Sequence, residues 1–370
     1  MPRADERDIQ IQILVEKGMA GDFNIFSPEF FYYHLVIVTG FGLLFGSFLN
    51  VCIYRIPAGI SIVTPCSHCF SCGSPIRWYD NIPLLSYVIL RGRCRFCGVC
   101  FSPRYFFIEL LTGVMFGYTF YRFGYTLATP VYIVFLCLLI IASFTDIDHW
   151  IIPDGVSLGG TVFALAAAIV AGFFPKGFIL SGAWPMTTQA YYAPFVNAAA
   201  GAAAGAVLLY VIGLIGTLIF RKEAMGFGDV KLFLLIGAVL GALNSVYVLM
   251  VGSIIGSVVG GILLIAGKLA KKNVSSTSHV EGETLPVTDT LQMNRENPEE
   301  EGSTEPLDIE ERVLRKILQG KESQGTEMDN SPPPSVHHIP FGPFLALAAA
   351  IILLWGGLFE QLLVKWMYGR

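Results

Sequence analysis

An all-α polytopic membrane protein, with about eight transmembrane helices and a cytoplasmic zinc-binding cysteine loop, is the fold class this sequence predicts. Three observations carry that reading. Hydrophobic residues make up 54% of the 370 positions and charged residues only 14%, where a soluble domain carries about 25% charge. Uncharged runs recur at lengths close to the roughly 20 apolar residues that cross a bilayer. Six of the eight cysteines fall between residues 66 and 100.

Residues 1–29 are polar and mixed in charge, and read as a small outer tail or an interfacial helix. No cleavable signal peptide is expected, because the first apolar run is long enough to stay in the bilayer. Helix 1 (30–57) rests on the uncharged run 31–54 and is followed by a loop over 58–104. Residues 105–272 hold helices 2 to 7. Their runs are 105–121, interrupted only by Glu109, then 123–145, 155–175 and 196–220. The stretch from Leu232 to Gly267 is too long for one ordinary span and is expected to break near "GALNS" (241–245) into two short helices. Within the fifth run, "GAAAG" (201–205) has the small-xxx-small spacing that lets helices approach closely.

The net charge of −4 hides a strong asymmetry. Residues 273–338 contain 14 acidic and 5 basic side chains, a local charge of −9, and the rest of the chain carries +5. This segment is rich in Ser, Thr, Glu and Pro and ends in "SPPPS". It cannot bury enough apolar surface to fold alone, so it reads as a mostly disordered cytoplasmic insert. One stretch in it, "PLDIEERVLRKILQG" (306–320), fits an amphipathic helix for a membrane or partner. The run 339–359 supplies helix 8 in the final segment, 339–370.

Lys and Arg in short loops mark the cytoplasmic side. Arg55, Arg77, Arg91, Arg93, Arg95 and Arg104 follow helix 1, Arg221 and Lys222 follow helix 5, and Lys268, Lys271 and Lys272 follow helix 7. The opposite side shows Arg122, Lys176, Lys365 and Arg370. Eight spans put the first set in the cytoplasm and both termini outside.

The cysteines read "CSHCFSC" (66–72) and "CRFCGVC" (94–100), with 21 residues between Cys72 and Cys94. Paired CxxC knuckles at this separation suit four thiolates around one tetrahedral zinc. Cys69, Cys72, Cys94 and Cys97 are the expected ligands, with Cys66 and Cys100 as extras able to substitute. Gly73 and Gly98 follow the knuckles, as tight turns prefer. A disulfide framework is the competing reading, disfavoured on a reducing face. Cys52 and Cys137 lie within apolar spans and read as small buried residues.

Carboxylates in so apolar a chain need a reason, since ionisable groups at membrane depth are expensive. "ASFTDIDHWIIPDG" (142–155) closes helix 3 and "MGFGDVKL" (225–232) opens helix 6. Two complete spans lie between Asp146 and Asp229, and an even number of crossings returns the chain to the face it left. Two neighbouring aspartates share one proton and can act together as base and acid on water and an amide. Simpler roles stand beside this one. Asp154 after Pro153 suits an N-cap, Asp148 and His149 suit solvent, and Asp229 itself sits where a helix start favours negative charge. Gly226 and Gly228 argue for more than a cap, because they let backbone bend or come close to a ligand. Lys231 either favours the ionised form of Asp229 or snorkels to the interface. Glu109 is a candidate supporting group or an interhelical hydrogen-bond partner.

Seven blocks in order resemble the type IV prepilin peptidases, a GxGD family of membrane aspartic proteases. They are "GSFLNVCIYRIP" (46–57), the cysteine knuckles, "WYDNIPLLSYVILRGRC" (78–94), "SPRYFFIELLTG" (102–113), "TDIDHWIIPD" (145–154), "GFGDVKL" (226–232) and "IPFGPFLAL" (339–347). The resemblance implies that Asp146 and Asp229 are the catalytic pair. It implies prepilins or type II secretion pseudopilins as substrates, cut after a glycine at the cytoplasmic face of the bacterial inner membrane. It further implies methylation of the new amino terminus from S-adenosylmethionine, with the donor site near the cysteine loop and its residues unassigned. Departures are the third cysteine of each knuckle, Phe106 where the family usually has proline, and the 273–338 insert. The bilayer is the other expected partner, nucleic acid is not one, and the oligomeric state stays open. The alternative function is a proton-coupled transporter using the two aspartates as a relay, which would stagger them through membrane depth. A non-catalytic zinc-loop scaffold is a third.

Overall fold

A backbone inside lipid must satisfy its own N–H and C=O groups, and the helix is the economical way for one segment to do so. The computed structural model describes residues 28–64, 66–173, 192–221, 225–277 and 340–368. Among these the only extended pairings are two isolated bridges, His68 with Pro75 and Arg93 with Cys100. The helices are α1 (Pro28–Arg55), the short α2 (Leu85–Ile89), α3 (Pro103–Phe123), α4 (Ala128–His149), α5 (Asp154–Phe173), α6 (Ala193–Phe220), α7 (Phe227–Leu240), α8 (Ala242–Thr277) and α9 (Gly342–Tyr368).

A helix thus stands at each of the eight expected positions. Five of them contain stretches long and apolar enough to cross a bilayer by length and composition: Phe30–Arg55, Ala128–His149, Asp154–Phe173, Ala193–Phe220 and Ala242–Ile265. The others fall short of that standard. Helix α3 carries Arg104, Glu109 and Arg122. Helix α7 has 14 residues, which at 1.5 Å each reach about 21 Å against a hydrocarbon core of about 30 Å. In α9 the described apolar part is the short Gly342–Gly356.

Ends follow local chemistry. The Ser102 side chain caps α3 by accepting from the Arg104 N–H, with Pro103 in the first turn, where a missing N–H costs nothing. The expected break falls at Gly241, whose φ of 82° suits glycine, between α7 and α8. The second helix is not short, however: α8 runs 36 residues to Thr277. The lysines that end its apolar run are good helix formers, so they change its polarity without stopping it. Residues 257–339 form a unit of their own, described here only by the Ser257–Thr277 part of α8. The N-terminal tail through residue 27 and the 306–320 stretch lie outside the described residues.

Lipid is as apolar as leucine, so close packing rather than burial alone holds such helices together. Two glycine seams provide it. Between α1 and α3, a Cβ on Gly42 would lie 2.7 Å from Phe116 Cβ, and one on Gly46 would lie 2.6 Å from the Glu109 backbone. Between α6 and α7, a Cβ on Gly201 would strike the Gly237 carbonyl and lie 2.9 Å from Gly241 Cα, and one on Gly205 would lie 3.0 Å from the Phe233 carbonyl. The "GAAAG" pattern is therefore a contact surface. Helix α7 also packs on α5 and α9, and Leu232, Phe233, Leu235, Ile236, Val239 and Leu240 are buried, as expected of a helix apolar on every side.

Gly201→Leu should wedge α6 from α7 and lower stability by about 1–3 kcal/mol, the usual cost of overpacking. Ala204→Leu, on the exposed side of the same helix, should leave it unchanged. Thermal unfolding in detergent separates the two.

Candidate active site

The last turn of α4 brings Asp146 to one end of the bundle. The helix closes at Trp150, whose φ of 58° is left-handed and whose N–H donates to the Asp146 carbonyl at 3.0 Å. Four residues on, α5 begins at Asp154, with the Pro153 carbonyl accepting from the Val156 N–H. Helix α7 begins at the same end, after Gly226, and carries Asp229 in its first turn. Both Asp146 and Asp229 are buried. The two carboxylates therefore stand at the same end of the bundle.

A third helix completes this corner. The Gly342 N–H, at the start of α9, donates to Asp146 Oδ2 at 3.1 Å. A Cβ at position 342 would strike that oxygen and lie 3.2 Å from Ile152 Cδ1. Ile152 also faces Gly228, where a Cβ would lie 3.5 Å from its own Cβ. Ile152 is therefore the packing centre between α7 and α9. Neither Gly226 nor Gly228 has a positive φ, and a Cβ at either would make only ordinary contacts, 4.0 Å from Asp229 Oδ2 and 3.5 Å from Ile152, so neither the bend nor the close approach expected of them is required by this geometry. "IPFGPFLAL" drew attention as a motif, but Gly342 was not foreseen in the site. A glycine just before a proline at the mouth of an apolar run was the available signal.

The other polar residues are engaged. Asp148, expected in solvent, accepts from Arg104 at 2.5 Å, with the guanidinium 4.9 Å from the Phe144 ring centroid. Asp154 and Lys231 pair with each other at 2.6 Å, so Lys231 neither serves Asp229 directly nor merely snorkels. Glu109 reaches back into the loop, accepting from the Leu84 N–H at 2.9 Å. That bond holds a leucine with a φ of 58°, where a side chain is strained. Dyad, pairs and Gly342 gather at one end of the bundle, without the stagger a proton relay needs.

The cysteine loop is built from two similar turns. Gly73 N–H donates to the Cys69 carbonyl at 2.9 Å and Gly98 N–H to the Cys94 carbonyl at 3.0 Å; both glycines have positive φ, 67° and 71°. The turns bring Cys69, Cys72, Cys94 and Cys97 together with all Sγ atoms within 4.8 Å. Cys69 and Cys97 are 3.8 Å apart, Cys72 and Cys94 4.0 Å. Four sulfurs about 2.3 Å from a tetrahedral ion stand about 3.8 Å from each other, so the set fits a thiophilic metal. Cys66 and Cys100 are exposed and outside the group.

The thiols titrate unequally. Hydrogen bonds from the Ser74 side chain and backbone hold Cys72 down to about 6, and the Cys97 and Phe96 N–H groups lower Cys94. At Cys97 the Val99 N–H pulls downward, but burial and its sulfur neighbours win and push it up to about 11. Four thiolates this close need a cation before all can ionise. Beside them, Arg95 grips Asp80 with contacts of 2.8 and 2.5 Å, and that hydrogen-bonded guanidinium lowers the Asp80 carboxyl.

Residues 41–123 match the bacterial peptidase A24 N-terminal domain, and residues 133–261 match the type IV leader peptidase family. The chain is 34% identical to a prepilin leader peptidase/N-methyltransferase of Myxococcus xanthus over 90% of its own length and 92% of that protein's. It is 37% identical to one of Klebsiella pneumoniae, over 54% and 82% of the two chains, and 33% identical to one of Bacillus subtilis, over 64% and 86%. No solved structure matches.

Metal analysis of the purified protein should find about one thiophilic ion per chain, the content expected of a closed four-cysteine site. Cys69→Ser or Cys97→Ser should abolish it, and Cys66→Ser or Cys100→Ser should not.

Proposed function

We propose, since the chain belongs to the type IV leader peptidase family, that it is a membrane-embedded aspartic endopeptidase. It removes the leader of prepilins or pseudopilins and then methylates the exposed amino terminus. One observation carries the reading. Asp146 and Asp229, from helices separated by two crossings, stand buried at the same end of the bundle, with Ile152 packed between the Gly342 that holds Asp146 and the Gly228 beside Asp229, while Asp148 and Asp154 are matched by Arg104 and Lys231.

In this reading the two carboxylates share one proton. The ionised member takes a proton from water as its oxygen attacks the scissile carbonyl carbon. The protonated member gives its proton to the departing amide nitrogen as the C–N bond breaks, so the pair again holds one proton when the amine leaves. Burial shields both transfers from bulk solvent, which strengthens the fields acting on the reacting atoms. Asp146 is held by the Gly342 N–H.

The second reaction takes the new amine as nucleophile and S-adenosylmethionine as methyl donor. A C–N bond forms, the methyl–sulfur bond breaks, and the amine gives up a proton. The cysteine loop is its place in this reading, with zinc on Cys69, Cys72, Cys94 and Cys97. That ion would supply cross-links that hold the two knuckles together. The active site faces the cytoplasm of a bacterial inner membrane, where the loop arginines belong.

Purified wild-type protein should shorten a prepilin and add the mass of a methyl group to the new terminus. Asp146→Asn and Asp229→Asn should each lower leader removal by about 10³-fold or more, the scale of lost general acid–base catalysis. Both should still methylate a leaderless pilin. Cleavage at the wild-type rate in either variant would end the assignment.

A further inference from the structure

Each aspartate of the dyad is followed, two residues later, by one member of an ion pair to a different helix. Asp146 is followed by Asp148, which pairs with Arg104 at the start of α3. Asp229 is followed by Lys231, which pairs with Asp154 at the start of α5. Successive residues turn about 100° around a helix, so two positions lie about 200° apart. The carboxylate and the tie therefore stand on nearly opposite sides of the same turn. A hold on one side fixes the direction of the other.

Stability does not explain the Arg104–Asp148 pair. Asp148 stands in the last turn of α4 and Arg104 in the first turn of α3. The helix dipole disfavours an anion at the first place and a cation at the second. Both side chains are about one-third exposed, 29% for Asp148 and 34% for Arg104, and pairs so placed add little to folding. Two residues that break a local preference together, next to a reactive group, point to an orienting role. Lys231 stands one residue past the first turn of its helix, and is matched by the α5 carboxylate.

From this geometry we infer that Arg104–Asp148 and Asp154–Lys231 are positioning pairs, which set the rotation of α4 and α7 so that Asp146 and Asp229 face one another. They touch neither the reacting atoms nor the methyl-transfer loop sulfurs. Paired with Asp148 and Asp154, Arg104 and Lys231 are not engaged by the dyad. The inference rests on the dyad reading given above, and its test keeps the two apart.

Charge reversal tests it in the full-length protein reconstituted in liposomes. R104D and D148R each create a like-charge pair, and R104D/D148R restores attraction with both charges at the helix ends the dipole prefers. D154K and K231D likewise create a like-charge pair and D154K/K231D restores attraction, here with a cation at the α5 start, which the dipole disfavours. The two probes are a prepilin, followed for leader loss, and a leaderless pilin, followed for methylation. Each single reversal should lower kcat for cleavage by about tenfold or more, in line with the cost of small misplacements. Each double reversal should return to within about threefold of wild type, and methylation should stay within about twofold in all six. Wild-type cleavage in the single reversals, doubles no better than singles, or methylation falling in step with cleavage would each overturn the inference. Asp229→Asn, assayed alongside, reports on the dyad itself: cleavage there would defeat the catalytic reading whatever the pairs do.

Discussion

Two carboxylates that repel each other cannot supply the force that brings them together. Everything else at the dyad end of this bundle can be understood as meeting that constraint. Asp229 is carried by the buried, 14-residue α7, whose backbone is pressed against α6 at Gly201 and Gly237. Asp146 is carried by the end of α4 and held by a backbone N–H from α9. No cation is shown between them among the described residues. The nearby cations, Arg104 and Lys231, are matched to other carboxylates. A cation lodged between the two aspartates would favour ionisation of both and remove the shared proton that the proposed acid and base chemistry needs.

The short length of α7 makes the same point from another direction. At about 21 Å it does not reach through the hydrocarbon, and it is apolar on every side. Such a helix is stable only inside a bundle, enclosed by α5, α6 and α9. Asp229 then sits buried in its first turn, and its far end turns at Gly241 into α8. The break in the long apolar run thus sets the length of the helix that carries Asp229.

Much of this was legible in the sequence, and the reasons differ by feature. The helix positions follow from uncharged length. The placing of Asp146 and Asp229 at the same end of the bundle follows from counting crossings, which needs no side-chain detail. The cysteine set follows from spacing, with Gly73 and Gly98 marking turns that a positive φ makes easy for glycine alone. Pairings such as Arg104 with Asp148, 44 residues apart, leave no periodic trace, so Asp148, Asp154 and Lys231 looked individually ambiguous. The Gly342 N–H is a backbone group and has no residue-type signature at all. The left-handed end of α4 was hidden because tryptophan, rather than glycine, occupies it. The extent of α8 past its apolar run was missed because hydropathy reports the solvent around a helix, whereas helicity persists through lysines.

The cysteine loop and the dyad look separate in sequence, yet α3 joins them. Cys97 lies in the second knuckle, Ser102 caps the helix a few residues later, and Arg104 reaches from its first turn to Asp148. One turn further along, Glu109 holds the strained Leu84 of the same loop, and Gly46 of α1 packs on the Glu109 backbone. The first turns of α3 are therefore fixed on three sides: by the knuckle before them, by α1 beside them, and by the end of α4. A metal on the four thiolates would stiffen the first of these anchors. Its influence on cleavage would then pass through the placement of Arg104, with no need for the ion to approach the peptide.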